Sequence, residues 1–180
     1  MQRKILIMGC GGIGSWLAEF LEFARRNSII RADVTLADGD RVELKNLLWQ
    51  RFESEDIGKN KTEVLAKRYH MKALPEYITS SRQLRPFDLV ITTTDNEATR
   101  HLVYRTKKQW IDARCSGSQW VVFSSRKPES RQAAESLPSG SKMKTRHSCQ
   151  GGEHLQGVRV KFGFLMAAAG VMEELSEFLV

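Results

Sequence analysis

The chain has 180 residues, 41% of them hydrophobic, and a formal net charge of +7. That length suits one domain with a sizeable core, no apolar run approaches the roughly 20 residues of a membrane span, and Met1-Gln2-Arg3-Lys4 leads straight into an apolar run without signal-peptide character, so a cytoplasmic protein is expected. The positive balance suits acidic partners or polyanions, but no aromatic-interleaved basic stripe marks a nucleic-acid binder, and three cysteines without a C-x-x-C spacing argue against a disulfide framework or a four-cysteine zinc site.

Taken in order, Ile5 to Asp40 reads as one βαβ unit. Ile5-Leu6-Ile7-Met8 is a short apolar run suited to a buried strand. Gly9-Cys10-Gly11-Gly12-Ile13-Gly14 follows as a G-x-G-x-x-G turn. From Ser15 to Arg26 the spacing is helical, with Ile13, Trp16, Leu17, Phe20, Leu21 and Ala24 on one face. Val34-Thr35-Leu36-Ala37 is a second strand ending in Asp38-Gly39-Asp40. In such a unit the first glycine permits the tight turn, the second lets a phosphate approach bare backbone, and the third allows close helix–strand packing. The N–H groups at the helix start face an anion with the favourable end of the dipole. An acid ending the second strand suits a ribose hydroxyl, and Asp38 holds that place.

Arg41 to Phe52 reads as a loop with a short helical turn. A helix is expected from about Lys59 to His70, with Val64, Leu65 and Tyr69 inward and Lys59, Lys61 and Lys67 on its polar side. Tyr77-Ile78-Thr79 is a weak strand and Phe87 to Thr93 a strong one, followed by a helix capped by Asp95 or Asn96. Trp110–Ala113 and Trp120–Phe123 read as two further strands. Residues 126–152, rich in Ser, Gly, Lys and Arg with Pro128 and Pro138, read as a long mobile loop. Val158-Arg159-Val160 precedes a final helix from Gly163 to Leu179, with Leu165, Ala168, Met172, Leu175 and Leu179 expected inward. Strands alternating with helices imply an α/β, Rossmann-like fold, a mainly parallel sheet covered on both faces. Ligands bind at the carboxyl ends of such strands. Gly9–Gly14, Asp38–Asp40 and Thr94–Asn96 all fall there.

Four segments then resemble the ThiF/MoeB superfamily, the adenylating enzymes that include the ubiquitin-activating enzymes. They are Gly9 to Ser15, Ala37-Asp38-Gly39-Asp40-Arg41-Val42-Glu43-Leu44-Lys45-Asn46-Leu47, Asp56-Ile57-Gly58-Lys59-Asn60-Lys61, and Thr94-Asp95-Asn96 with Arg100. A weaker fifth runs from Ser148-Cys149-Gln150 through Gly163. The resemblance implies ATP- and Mg²⁺-dependent adenylation of the C-terminal glycine of a ubiquitin-like or sulfur-carrier protein ending in Gly-Gly. It also implies a homodimer or heterodimer. By position it assigns the nucleotide to Gly9, Gly11, Gly12, Gly14, Asp38 and Asp40, with Asp38 on the ribose. Asn46 and Lys61 go to the phosphates, Asp95 to the metal, and Cys149 to a covalent transfer step. Lys144, Arg146 and His147 beside Cys149 favour its thiolate. The family's arginine falls where this chain has Trp49, so Arg51, two residues on, is the expected substitute. The N-terminal helix that carries an arginine into a partner's site, and the paired C-x-x-C zinc ligands, have no counterpart in the chain as given.

Two other readings share the glycine turn. An NAD(P)-dependent dehydrogenase uses the same turn and Asp38, but would leave Asn46, Lys61 and Asp95 without a role. A non-catalytic nucleotide-binding subunit fits the displaced arginine.

Overall fold

The computed structural model describes residues 2–136 and 160–179. Its centre is a six-stranded sheet in the order β3-β2-β1-β4-β5-β6. The strands are β1 (Arg3–Met8), β2 (Ala32–Ala37), β3 (Lys72–Leu74), β4 (Leu89–Thr92), β5 (Gln109–Ser116) and β6 (Gln119–Ser124). Strands β1 to β5 pair in parallel, and β6 turns back antiparallel to β5. The mainly parallel Rossmann-like architecture expected from the alternation is therefore the one observed. The helices are α1 (Gly12–Arg26), α2 (Lys61–Arg68), α3 (Ser81–Leu84), α4 (Glu97–Tyr104), α5 (Pro128–Ser136) and α6 (Gly163–Leu179).

Ile5 to Met8 are buried on both sides because β1 lies inside the sheet. Strand alternation divides them. Ile5 and Ile7 face a core built with Leu17 and Leu21 of α1, Leu65 of α2 and Val171 of α6. Leu6 and Met8 face the opposite core, with Leu84 of α3, Val103 and Tyr104 of α4, and Ala134 of α5. Two covered faces explain why this strand reads as a continuous apolar run.

Some sequence expectations needed correction. Tyr77–Thr79 is not a strand; the edge strand is Lys72–Leu74, pairing with Thr35–Ala37. Ile78 is buried against the second core without ladder bonding, so its apolar character reflects packing. Residues 128–136 of the expected loop form α5. Proline at a first helical position costs no hydrogen bond there, and Glu129 lies in the first turn, where the dipole favours an acid. Residues 137–152, with Cys149, and Val158-Arg159 lie outside the described residues. In α6 the fully buried face is Phe164, Ala167, Ala168, Val171 and Leu175, while Leu165, Met172 and Leu179 pack at its margin. Among the described residues no helix is long and apolar enough to cross a membrane.

Candidate functional site

The register aligns the strand ends. Met8 is level with Ala37 on one side and Thr92 on the other, and Thr92 is level with Asp112. Gly9, Asp38 and Thr93 thus leave the sheet together. The Gly9 N–H donates to Ala37 O at 2.9 Å, and the Thr93 hydroxyl donates to Gly9 O at 2.7 Å.

Three glycines of the turn differ in what they need. Gly9 has a φ of +99°, where side chains are strained. A Cβ on Gly14 would meet Gly9 O at 1.9 Å, so the strand and α1 can approach only without one. A Cβ on Gly11 would meet nothing within 4 Å: its face is open. Gly11 caps α1 without a side-chain hydrogen bond, and no acidic residue lies in the first turn. The helix start therefore presents backbone N–H groups to an open face, which is an anion-binding arrangement.

Beside it, Asp38 is buried and its carboxylate bridges two backbone groups, Cys10 N–H at 2.7 Å and Asp40 N–H at 2.9 Å. Burial raises its pKa, against the lowering effect of those bonds. Lys61 opens α2 and is only 6% exposed, with Nζ 3.0 Å from Asp40 Oδ2. Burial pushes the Asp40 carboxyl up, but hydrogen bonds from the Tyr77 hydroxyl and Lys61 outweigh it and leave the pKa lowered. Asn60 ties the group together: its amide donates to Asp38 O at 3.1 Å while its side-chain oxygen caps α2. Cys10 packs into the core, and burial raises its thiol pKa.

Across the turn, Asp95 follows Thr94, whose backbone N lies 3.0 Å from an ideal Cβ on Gly9. Asp95 is exposed at the start of α4, and Asn96 rather than Asp95 caps the helix by accepting from Thr99 N–H. Among the described residues no group of three or more His, Cys, Asp or Glu is placed to hold a metal. Magnesium sites need only one or two protein carboxylates beside phosphates.

A sequence profile described as the ThiF family matches residues 1–174. The chain belongs to the ThiF family. Among its relatives, the sulfur carrier protein adenylyltransferase of Thermus thermophilus is 34% identical over 113 residues, 57% of this chain and 40% of that protein. The adenylyltransferase and sulfurtransferase uba4 of Emericella nidulans is 34% identical over 114 residues, 57% of this chain and 23% of that protein. The chain thus spans less than half the length of these curated relatives. The crystal structure of Escherichia coli MccB with AMPCPP and MccA superposes with a TM-score of 0.69 at 22% identity, covering 98% of this chain and 55% of that one. That likeness is one of fold.

Within this ThiF-family frame, the structure gathers the glycine turn, Asp38, Asp40 and Lys61 along one sheet edge, with Asp95 next to the turn. Asn46 is buried, and its side-chain oxygen accepts from Glu43 N–H at 2.8 Å. Arg51 lies close by, since its backbone N–H donates to Ser15 Oγ, but its guanidinium is engaged on α1. It pairs with Glu19 at 2.5 Å and stacks over Trp16 at 4.8 Å. Cys149 lies outside the described residues. Sequence reasoning missed Asn60 and Tyr77 as parts of the site. An Asn directly before a helical pattern is an N-cap signal and could have drawn attention to Asn60; nothing local distinguished Tyr77. The dehydrogenase reading calls for a Tyr-x-x-x-Lys pair, and Tyr104 and Lys108 have that spacing. The two side chains diverge, however, the Tyr104 hydroxyl to Asp112 and Lys108 Nζ to the carbonyls of Arg85 and Phe87.

Proposed function

We propose that this chain is an adenylating domain that uses ATP to activate the C-terminal carboxylate of a ubiquitin-like or sulfur-carrier protein. The observation that carries the reading is the shared edge. An open glycine turn at an uncapped helix start stands beside a buried Lys61 held by Asp40, with Asp38 between them. Membership of the ThiF family and the named activities of its relatives support the same reading.

The residues fit the groups this chemistry needs. Gly11 leaves the approach that a phosphate takes, and Lys61 carries a point charge suited to it. Asp38 and Asp40 border the place of the ribose. Asp95 would hold Mg²⁺, which supplies charge neutralisation on the phosphates when bound. In the reaction a carboxylate oxygen of the carrier attacks the α-phosphorus of ATP. A carboxyl–phosphate bond forms, the bond to the β-phosphate oxygen breaks, and pyrophosphate leaves without a proton transfer. Alignment and electrostatic stabilisation therefore matter more than acid–base groups, and the amides of α1 with Lys61 provide them. A later transfer through Cys149 belongs to the same proposal, as does a homodimer or heterodimer.

One observation favours a second reading. Arg51 is tied to Glu19, so the chain's substitute for the family arginine is not free to meet phosphate. A nucleotide-binding subunit that docks a carrier beside an active partner accommodates that. ATP–pyrophosphate exchange with a candidate Gly-Gly carrier separates the two. Exchange that Asp95→Ala lowers at least a hundredfold, with thermal melting unchanged, supports adenylation. ATP binding without exchange supports the subunit, and exchange unaffected by Asp95→Ala rejects the metal role.

A further inference from the structure

Beyond the glycine turn, the same sheet edge continues to a second charged cluster, outside the residues assigned above to the nucleotide. Asp112 on β5 is fully buried, level with Thr92 of β4. Its Oδ2 accepts from the Tyr104 hydroxyl at 2.5 Å and from Arg114 Nε at 2.7 Å. Arg114 is satisfied further: its Nη2 donates to Tyr104 Oη at 2.8 Å and to Ala134 O at 2.9 Å. Arg100 of α4 is different. Its side chain is 9% exposed, and its Nε lies 3.4 Å from Asp112 Oδ1 in an ion pair without a hydrogen bond. Among the described residues no other group hydrogen-bonds or forms an ion pair with this guanidinium, and Asp95, at the start of the same helix, acts on it only through space. Thr92 Oγ1, on the adjoining strand end, is also buried without a partner.

Two guanidiniums thus share one buried carboxylate. Buried charges are ordinarily paired and hydrogen-bonded, and a guanidinium offers five donors in a planar fork. Arg114 meets that requirement and Arg100 does not. The surplus positive charge sits where the fold separates its two ligand halves. The glycine turn and Asp38 follow β1 and β2; Arg100, on the α4 helix that follows β4, and Asp112, on β5, lie across the point where the strand order reverses. Substrates of such sheets bind at that point. With the triphosphate on the β1 side, facing the amides of α1 and Lys61, the β4–β5 half remains for the second reactant.

We propose that Arg100 binds the C-terminal carboxylate of the acyl substrate, with Asp112 and Arg114 positioning its guanidinium. The proposal rests on the adenylation reading for the identity of that reactant. A planar fork suits a planar carboxylate, and a phosphate oxyanion shares the chemistry, so the test must separate the two sources. An approaching carboxylate also gains by being held in place before attack, since both reactants begin negatively charged.

The test uses the whole chain and two probes, a short peptide ending in Gly-Gly as the free acid and the same peptide as its C-terminal amide. Calorimetric titration of wild type should show the acid binding at least tenfold more tightly than the amide. The Arg100 Nε–H resonance should shift with the acid only. Arg100→Lys keeps the charge but loses the fork, and should reduce the acid-over-amide preference to less than threefold while ATP affinity changes less than twofold. Equal binding of acid and amide by wild type overturns the proposal without any variant. A loss in Arg100→Lys that falls on ATP instead overturns it in favour of phosphate, and an unchanged preference in the variant overturns it outright. Failure of pyrophosphate exchange in wild type, with the acid preference intact, would reject adenylation and leave carboxylate binding standing.

Discussion

Burying the Lys61 ammonium without a counter-ion would cost several kcal/mol, and Asp40 supplies one at 3.0 Å. The pair has a consequence for pH. The folded-state pKa of Asp40 is lowered, so its contribution to stability is present above the ordinary carboxylate pKa and is lost as pH falls through the depressed value. Asp38 runs the other way: its raised pKa favours the folded state in acid, and that contribution disappears as pH rises through the raised value. Asp40→Asn should therefore flatten the acid limb of stability against pH, by a few tenths of a kcal/mol given that Asp40 is half exposed. Urea denaturation at a series of acidic pH values measures it; an acid limb as steep as in wild type would refute the linkage. At this scale the sequence was only partly readable. Lys61 looked like a charge on the polar side of its helix, and only the family resemblance singled it out. Its burial depends on Asp40, brought near by the crossover from β2 to α2. The Arg51 backbone lies beside the turn, yet Glu19, one turn beyond Ser15 on α1, decides where its guanidinium goes.

The β1–α1–β2 element carries a sharper distinction, because its glycines do different work. Gly14→Ala would drive a methyl group into Gly9 O and should lower stability by roughly 3 kcal/mol or more, the upper range of core overpacking, read as a drop in melting temperature. Gly11→Ala meets open space and should melt like wild type while weakening ATP at least tenfold. The reverse pattern would mean that Gly11 faces no ligand. This unit was legible in the sequence because three independent signals agree: an apolar run buried on both faces, helical spacing, and glycines at the turn. The edge strand was not. Lys72-Ala73-Leu74 pairs with β2 although two of its three residues are exposed, so no alternation announces it. α5 was hidden for a similar reason, since its surroundings are rich in Ser, Gly and Pro, and Ala134 alone reaches the second core as a buried hydrophobic residue.

Across the whole molecule, the aligned carboxyl ends of β1, β2 and β4 carry out on one edge residues far apart in the chain, the glycine turn, Asp38 and Asp95, with Lys61 at the start of α2 beside Asp40 and Arg100 one turn into α4. Topology made that possible, and it was readable in outline, because a parallel sheet must place its ligand at the carboxyl ends. The charge cluster at Asp112 was not readable. Strand alternation puts Asp112 and Arg114 on one face of β5, but Arg100 and Tyr104 meet them only when α4 packs there, and nothing local announces that. The net charge of +7 remains consistent with acidic partners, which the carrier-binding reading needs. The most direct measurement is calorimetric titration of ATP with Mg²⁺ into wild type and Lys61→Met, with NAD titrated in parallel. Adenylation chemistry at this edge requires that ATP bind to wild type, that Lys61→Met weaken it at least tenfold, and that NAD bind no better than either protein's background. Preferential binding of NAD, or ATP bound equally by both proteins, would contradict a triphosphate site built on Lys61.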